Sequence, residues 1–212
     1  MDSKDYHDYV IKNGKFIGKF EEMYQNIEDP WLHGKALAIQ YDIAIYLINR
    51  YNVCNKSVKI LDIGCGKGAF TLRIKNNFPK SKITALDISS TAIVKAKKNN
   101  RKGIDFKVSD IQKDYKKIKE KYDLIILSEI MWYILPNLKD ILLFLSKNVL
   151  KKKGYFLVNQ AFYKDGIQKY SNKFVENQED FIKLTKLKLL ERIDIHNSSN
   201  FDTVMLFKKD DK

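Results

Sequence analysis

Val58-Lys59-Ile60-Leu61-Asp62-Ile63-Gly64-Cys65-Gly66-Lys67-Gly68 decides the fold. A short apolar, β-branched run stops at a glycine pair, the pattern of a buried parallel strand that meets a tight turn. The first two glycines permit positive φ, and their missing Cβ atoms let a ligand touch the backbone. A helical stretch is expected over Lys67 to Asn77, ending before Pro79. Its N-terminus offers oriented N–H groups and a partial positive charge to a carboxylate or phosphate.

Working outward, Lys82-Ile83-Thr84-Ala85-Leu86-Asp87 reads as a second strand, and Ser89 or Ser90 as the cap of a helix running to about Asn99. Ile104 to Val108, Tyr122 to Leu127 and Tyr155 to Asn159 read as three further strands. Asn137 to Leu150 reads as a helix with Asn137 as its N-cap, and Lys35 to Tyr51 as an upstream helix carrying Leu37, Tyr41, Ala44, Ile45 and Ile48 near the 3.6 period. Strands alternating with helices imply right-handed crossovers and a parallel sheet. The tail differs. Leu187 to His196 and Thr203 to Lys208 are joined by Asn197-Ser198-Ser199-Asn200, which leaves no room for a helix and requires an antiparallel edge hairpin. The expected fold class is therefore α/β, a doubly wound, mostly parallel sheet with an antiparallel C-terminal hairpin. Residues 1–55 are expected to form a helical lid or extension on one compact unit, 56–212.

The rest of the composition narrows the class. At 212 residues and 44% apolar the chain supports one real core. Two cysteines, Cys54 and Cys65, without paired CxxC spacing argue against a disulfide scaffold and a structural zinc site. No apolar run is long enough to span a bilayer, and the opening MDSKDYHDYV lacks a signal-peptide core, so a cytoplasmic protein without membrane insertion is expected. The net charge of +13 raises a nucleic-acid reading. Against it, only Arg50, Arg73, Arg101 and Arg192 are arginines among 39 basic residues, and arginine is the favoured residue for bidentate phosphate and guanine contacts. Scattered lysine runs more often mark solvated faces.

The glycine pair gains weight from Asp87, nineteen residues after Gly68, at the end of the second strand. A carboxylate there accepts hydrogen bonds from the two hydroxyls of a ribose. Asp62, just before the glycines, suits the ammonium of an amino acid or the N–H groups of its own loop, and an Asp that merely braces the loop is an open alternative. Cys65 reads as a small residue in a crowded loop rather than a nucleophile.

At these residues the sequence resembles the class I S-adenosylmethionine-dependent methyltransferases, over about residues 56 to 208. "ILDIGCGKG" resembles their cofactor loop, "ITALDIS" their acidic ribose motif and "VSDIQ" the segment that embraces adenine. "YDLIILSEIMWYI" resembles the fourth-strand motif facing the methyl group, and "LKKKGYFLV" the entrance to strand five. The resemblance implies a Rossmann-like methyltransferase fold with S-adenosyl-L-methionine as cofactor. It places Gly64, Cys65, Gly66 and Gly68 along the methionine part, Asp62 near its ammonium, and Asp87 with Ile88 at the ribose. Asp110 would accept from the adenine amino group, Ile111 would pack on the ring, and Ser128 would approach the methionine arm. A turn or N-cap role for Asp110 stays open. Phe20-Glu21-Glu22-Met23-Tyr24 followed by Asp29-Pro30-Trp31 resembles the opening of nodulation-type and surface-polysaccharide-associated small methyltransferases, in which an N-terminal lid with an aromatic residue folds over the cofactor. Tyr24 and Trp31 then either face the sulfonium or substrate, or serve as core aromatics under a helix.

A sulfonium is already an activated donor, so alignment supplies most of the acceleration. A sugar hydroxyl also needs a proton acceptor, whereas an amine needs only a neutral lone pair. Glu129 and His33 are the candidate bases, with Tyr133 or Tyr163 as orienting groups. Glu129 alternatively starts a helix or forms a salt bridge, and a lone histidine is more often structural. The fourth-strand motif lacks the Asn/Asp-Pro-Pro-aromatic pattern of base-amino methyltransferases, and no Asp/Asn/His cluster suggests a metal. The expected partner is a small-molecule substrate, with a sugar or sugar-linked group of a surface polysaccharide as the first reading. An RNA methyltransferase and an NAD-dependent oxidoreductase are the alternatives. The oligomeric state is not legible.

Overall fold

The computed structural model describes residues 6–12, 15–31, 39–98, 102–163, 175, 177–196 and 200–211. The chain opens with α1 (His7–Val10), a ribbon of β1 (Ile11–Lys12) and β2 (Lys15–Phe16), then α2 (Phe20–Asn26) and α3 (Ile39–Arg50). The alternating part follows as β3 (Lys59–Ile63), α4 (Ala69–Asn77), β4 (Lys82–Asp87), α5 (Ser90–Lys98), β5 (Ile104–Val108) and α6 (Ile111–Asp114). It continues through β6 (Tyr122–Ser128), α7 (Leu138–Phe144), β7 (Leu150–Tyr163), α8 (Gln178–Thr185), β8 (Lys188–His196) and β9 (Asn200–Lys208).

Seven strands form one sheet in the order β5-β4-β3-β6-β7-β9-β8. The first five are parallel to one another, and β9 runs antiparallel to both β7 and β8. The order reverses beside β3, and open α/β sheets bind ligands in the crevice at such a switch point, outside the carboxyl ends of the strands. The hairpin is present with one refinement: its second strand, β9, inserts next to β7, and its first, β8, becomes the edge.

Alternate side chains of each strand feed opposite cores. Leu61, Ile63, Ile125, Leu127, Phe156 and Val158 pack with Ile141 and Leu142 of α7 and with Phe181 of α8. Ile60, Leu124, Ile126 and Leu157 pack on the other face with Leu47 and Ile48 of α3, Ile74 of α4 and Ile93 of α5. Both faces of β6 are buried, which is why its sequence is a continuous apolar run rather than an alternating one.

Four local expectations need adjustment. β7 is fourteen residues long, because parallel pairing with β6 and antiparallel pairing with β9 extend it from Leu150 to Tyr163. Asn137 occupies the N-cap position of α7 but its side chain caps nothing: Pro136 sets a 3₁₀ turn over Leu135–Asn137 that runs straight into the helix. The helix then ends in a π turn, Leu145–Val149, rather than continuing regularly. α8 was not expected; Asn177 caps it through the Asp180 N–H at 3.1 Å. Ser89 does cap α5, accepting from Ala92 N at 3.0 Å. The start of the upstream helix (35–38) and the hairpin turn (197–199) lie outside the described residues.

Lysines collect where the parallel strands begin: Lys59 lies opposite Lys82 and pairs with Glu120, and Lys151 to Lys153 open β7, Lys151 pairing with Asp123. The other ends carry the site.

Candidate active site

Two loops meet where β3 and β4 finish. Gly64 N and Cys65 N both donate to Leu86 O, at 2.8 and 2.9 Å, tying the glycine turn to the neighbouring strand. Gly66 N donates to Asp87 Oδ2 at 2.7 Å, and Ser89 N to Asp87 Oδ1 at 2.9 Å. The glycine-lined strand end and the carboxylate therefore share one crevice, as expected. Burial pushes the Asp87 carboxyl above its ordinary value, against the opposing effect of these N–H donors.

The glycines are needed for two different reasons. Gly64 has φ +80°, and a Cβ there would stand 2.1 Å from Ile130 Cγ2. Gly66 has φ +53°, and a Cβ there would stand 2.7 Å from the Tyr24 hydroxyl. The first lets the β6 loop close in, the second the N-terminal segment. Gly68 is the N-cap residue of α4, in the left-handed region. Asp62 neither braces the loop N–H groups nor stands free: Thr71 Oγ1 of α4 donates to its Oδ2 at 2.5 Å. Burial pushes the Asp62 carboxyl up to about 6. Burial likewise raises the Cys65 thiol well above its usual value, which removes it as a nucleophile.

After β5, Asp110 Oδ1 accepts from Gln112 N at 3.0 Å, a capping role, and Oδ2 pairs with Lys113 at 3.0 Å. Asp110 also lines the crevice, with Ile88 and the buried Ile111. Ser128 sits at the end of β6, where its Oγ accepts from Asn159 Nδ2 at 3.1 Å.

The N-terminal segment closes the crevice from above. Tyr24 is buried, and its hydroxyl accepts from Trp31 Nε1 at 2.9 Å. α2 is latched by Glu21, whose carboxylate accepts from Ser89 Oγ (2.7 Å), Ser90 Oγ (3.0 Å), Thr91 Oγ1 (2.6 Å) and Thr91 N (3.2 Å) at the start of α5. Burial alone would raise the Glu21 carboxyl, but these donors hold it down at about 2. Lys95 adds hydrogen bonds to Tyr24 O and Glu28, both at 2.9 Å. Tyr133 belongs to the same closure, its ring 5.1 Å from Phe20 and 6.1 Å from Trp31 between centroids.

Glu129 follows β6 with φ +54°, an unfavourable backbone for a side chain of this kind. The turn is held by Glu129 N donating to Asn159 O at 2.8 Å. Glu129 Oε2 accepts from Gln160 Nε2 at 3.2 Å and Ala161 N at 3.3 Å, while its buried Oε1 has no hydrogen-bond partner among the described residues. Burial, against the Ala161 N–H and with the charge of Asp202, pushes the carboxyl up to about 8. His33 and the side chain of Tyr163 lie outside the described residues. Gln40, Tyr41, Trp132 and Asp202 are among the crevice residues that the sequence does not mark as such. The helical period marks Tyr41 only as a core residue. Asp202 enters through strand register, which no local motif carries.

The cavity between these groups measures about 360 Å³. Five carboxyl groups reach it, Asp62, Asp87, Asp110, Glu129 and Asp202, and among the described lining residues there is no Lys or Arg. In a chain of charge +13, an acidic wall without a basic residue suits a cationic ligand.

A family model described as a methyltransferase domain matches residues 54–206. The chain belongs to this methyltransferase family. It is 33% identical over 122 residues to the malonyl-[acyl-carrier protein] O-methyltransferase of Bacillus anthracis, covering 57% of this chain and 41% of that one. It is 35% identical over 167 residues to malonyl-[acyl-carrier protein] O-methyltransferase 2 of Ilyobacter polytropus, covering 71% and 62%. This methyltransferase thus spans less than two thirds of those relatives' length. Its fold is similar to that of the N-methyltransferase NodS from Bradyrhizobium japonicum WM9 in complex with S-adenosyl-L-homocysteine, with TM-score 0.70, 20% identity, and 90% and 97% of the two chains covered. The methyltransferase crevice fits S-adenosylmethionine: a buried carboxyl at the end of β4, a glycine turn after β3, and an acidic wall for a ligand carrying sulfonium and ammonium. Among the described residues no helix is long and apolar enough to cross a membrane.

Proposed function

We propose that this chain transfers the methyl group of S-adenosylmethionine to a small molecule in the cytoplasm. The acceptor on this reading is a sugar or sugar-linked group of a surface polysaccharide, methylated at oxygen or nitrogen. The carrying observation is the carboxylate-lined crevice in an otherwise basic protein. A sulfonium and an ammonium are stabilised there, whereas a pyrophosphate would be repelled, which disfavours the NAD-dependent alternative. It equally disfavours drawing a polyanionic RNA into the crevice.

On this reading Gly64, Cys65 and Gly66 line the methionine part, Asp62 faces its ammonium, and Ser128 adjoins the arm; Gly68, expected with them, does not line the crevice but faces Phe106 and Ala96 as the N-cap residue of α4. Asp87 and Ile88 hold the ribose; Asp110 and Ile111 hold the adenine. Of the stretch 1–55, α1 and α2 act as a lid over the unit 56–212, with Tyr24 and Trp31 excluding water, whereas α3 packs into the core on the sheet. Glu129 takes a proton from the acceptor and Tyr133 helps close the site. His33 is carried as a second candidate base. Bound cofactor supplies an activated methyl group; the chain's part is to align the acceptor and remove water.

The test is calorimetry with labelled-donor turnover. S-adenosylmethionine is expected to bind the wild type, and Asp87→Ala to lose at least ~100-fold in affinity, since charge-assisted hydrogen bonds from two hydroxyls disappear. Unchanged cofactor affinity in a folded Asp87→Ala protein would sink the site assignment.

A second reading follows from the relatives, which are named for methylating malonyl-[acyl-carrier protein]. An acyl-carrier-linked carboxylate is the acceptor it implies. Label appearing as a base-labile methyl ester would favour it.

A further inference from the structure

Resting on the methyl-transfer reading above, we infer that Glu129 and Asp202 form a cation-binding acceptor subsite, so that the methyl acceptor is an amine rather than a hydroxyl or a carboxylate. The first observation is topological. Asp87 ends β4 and Asp202 lies on β9, four strand spacings apart in the sheet order, or about 19 Å at ~4.8 Å per strand. The residues fitted to the adenosine lie on the β4 and β5 side of the switch point, so Asp202 belongs to the opposite half of the same cavity.

The second observation is the unsatisfied oxygen. Glu129 Oε2 spends its capacity on Gln160 and Ala161, and Oε1 is left buried without a partner. Protonation does not resolve this, because a buried O–H needs an acceptor as a buried carboxylate needs a donor. A ligand N–H at Oε1 satisfies it. The Glu129 backbone is held in the left-handed region, which is strained for a side chain of this kind.

The third observation is the second charge. Ala161 pairs with Asp202 across β7 and β9, and the same Ala161 donates its N–H to Glu129. Register thus sets two carboxyl groups beside each other on the crevice wall. Such a pair favours a cation between them and repels a carboxylate. Tyr41 and Trp132 line the same cavity and add aromatic surface that suits an ammonium.

The transfer balances without another reagent. An ammonium acceptor first gives one proton to Glu129 Oε1. The freed lone pair then forms the N–C bond to the methyl carbon while the C–S pair returns to sulfur, leaving S-adenosylhomocysteine and an N-methylated ammonium.

The experiment uses the full chain with S-adenosylmethionine carrying a 13C methyl group, incubated with a small-molecule cell extract and separately with glucosamine and glucose as probes. Proton–carbon correlation spectra distinguish methyl on nitrogen, ether oxygen and ester. The expected result is N-methyl product. Asp202→Asn should raise the amine KM by about tenfold with kcat and cofactor affinity little changed, the size of one charged contact. Glu129→Gln should lower kcat instead. Methyl found only on oxygen, or an Asp202→Asn enzyme with wild-type KM, overturns the amine assignment while leaving methyl transfer intact. No product from any source, with cofactor still bound by calorimetry, sinks the methyl-transfer reading and this inference with it.

Discussion

On the β4 side of the crevice, Gly66 reaches Asp87 across 21 residues of one strand-helix-strand unit. On the β9 side, Asp202 reaches the neighbourhood of Glu129 only because β7 and β9 pair in one register. The first half is a local device, rigid and fully hydrogen-bonded. The second is assembled from distant strands and keeps a buried oxygen unsatisfied. The contrast suits the tasks: a cofactor shared by a whole family is met by a fixed motif, and a chain-specific acceptor by a wall whose residues come from elsewhere.

The hardest blow to the first half is Gly64→Ala. Its Cβ would collide with Ile130 at a backbone angle that L side chains rarely adopt. A loss of about 3 kcal/mol is expected, roughly 10 °C in melting temperature for a chain of this size, with cofactor binding lost as well. A calorimetric melt close to wild type would show the two halves to be less different than argued.

The second half is probed by pH. Glu129 is neutral below about 8 in the free protein and ionised above it. Because a general base must be ionised, kcat/KM should climb as pH rises through about 8 and level off above. Burial keeps the carboxyl high; the groups facing it are Asp202, whose charge adds to that, Tyr41, and the donors Ala161 and Gln160. Glu129→Gln should cost on the order of 100-fold and flatten the profile. The linkage to stability has the same root: a raised carboxyl destabilises the fold progressively as pH climbs from its unfolded value toward 8.

The smallest effect lies in the closure that joins the halves. Glu21→Gln keeps the size but weakens the charge-assisted latch on Ser89, Ser90 and Thr91, so cofactor affinity should fall a few-fold, about 1 kcal/mol. Since the Glu21 carboxyl sits at about 2, its contribution is complete above the ordinary carboxylate value and fades as pH falls toward 2. Trp31 fluorescence during acid titration follows the release; a transition near the ordinary carboxylate value would contradict the latch.

The same contrast explains what the sequence revealed. Gly64, Gly66 and Asp87 were readable because each is a local backbone requirement beside an apolar run. The parallel strands were readable because burial on both faces leaves a plain signature. Glu129 was found from its position after β6, but its unsatisfied oxygen was not, since that depends on Gln160 and Ala161 one strand away. Asp202 left no trace, looking like any polar residue of an edge hairpin until β9 slipped inside β8. Asn137 misled because Asn before an apolar periodic run signals a cap, and Pro136 diverted the backbone first.

The crevice is an acidic mouth, without a Lys or Arg among its described lining residues, in a molecule with a surplus of positive charge. A cationic donor approaching from afar meets net repulsion, and feels attraction only within about 10 Å of the mouth, the screening distance at ordinary salt. Added salt should therefore loosen the bound complex without slowing capture, the reverse of an electrostatically steered encounter, and stopped-flow traces across an ionic-strength series would register it.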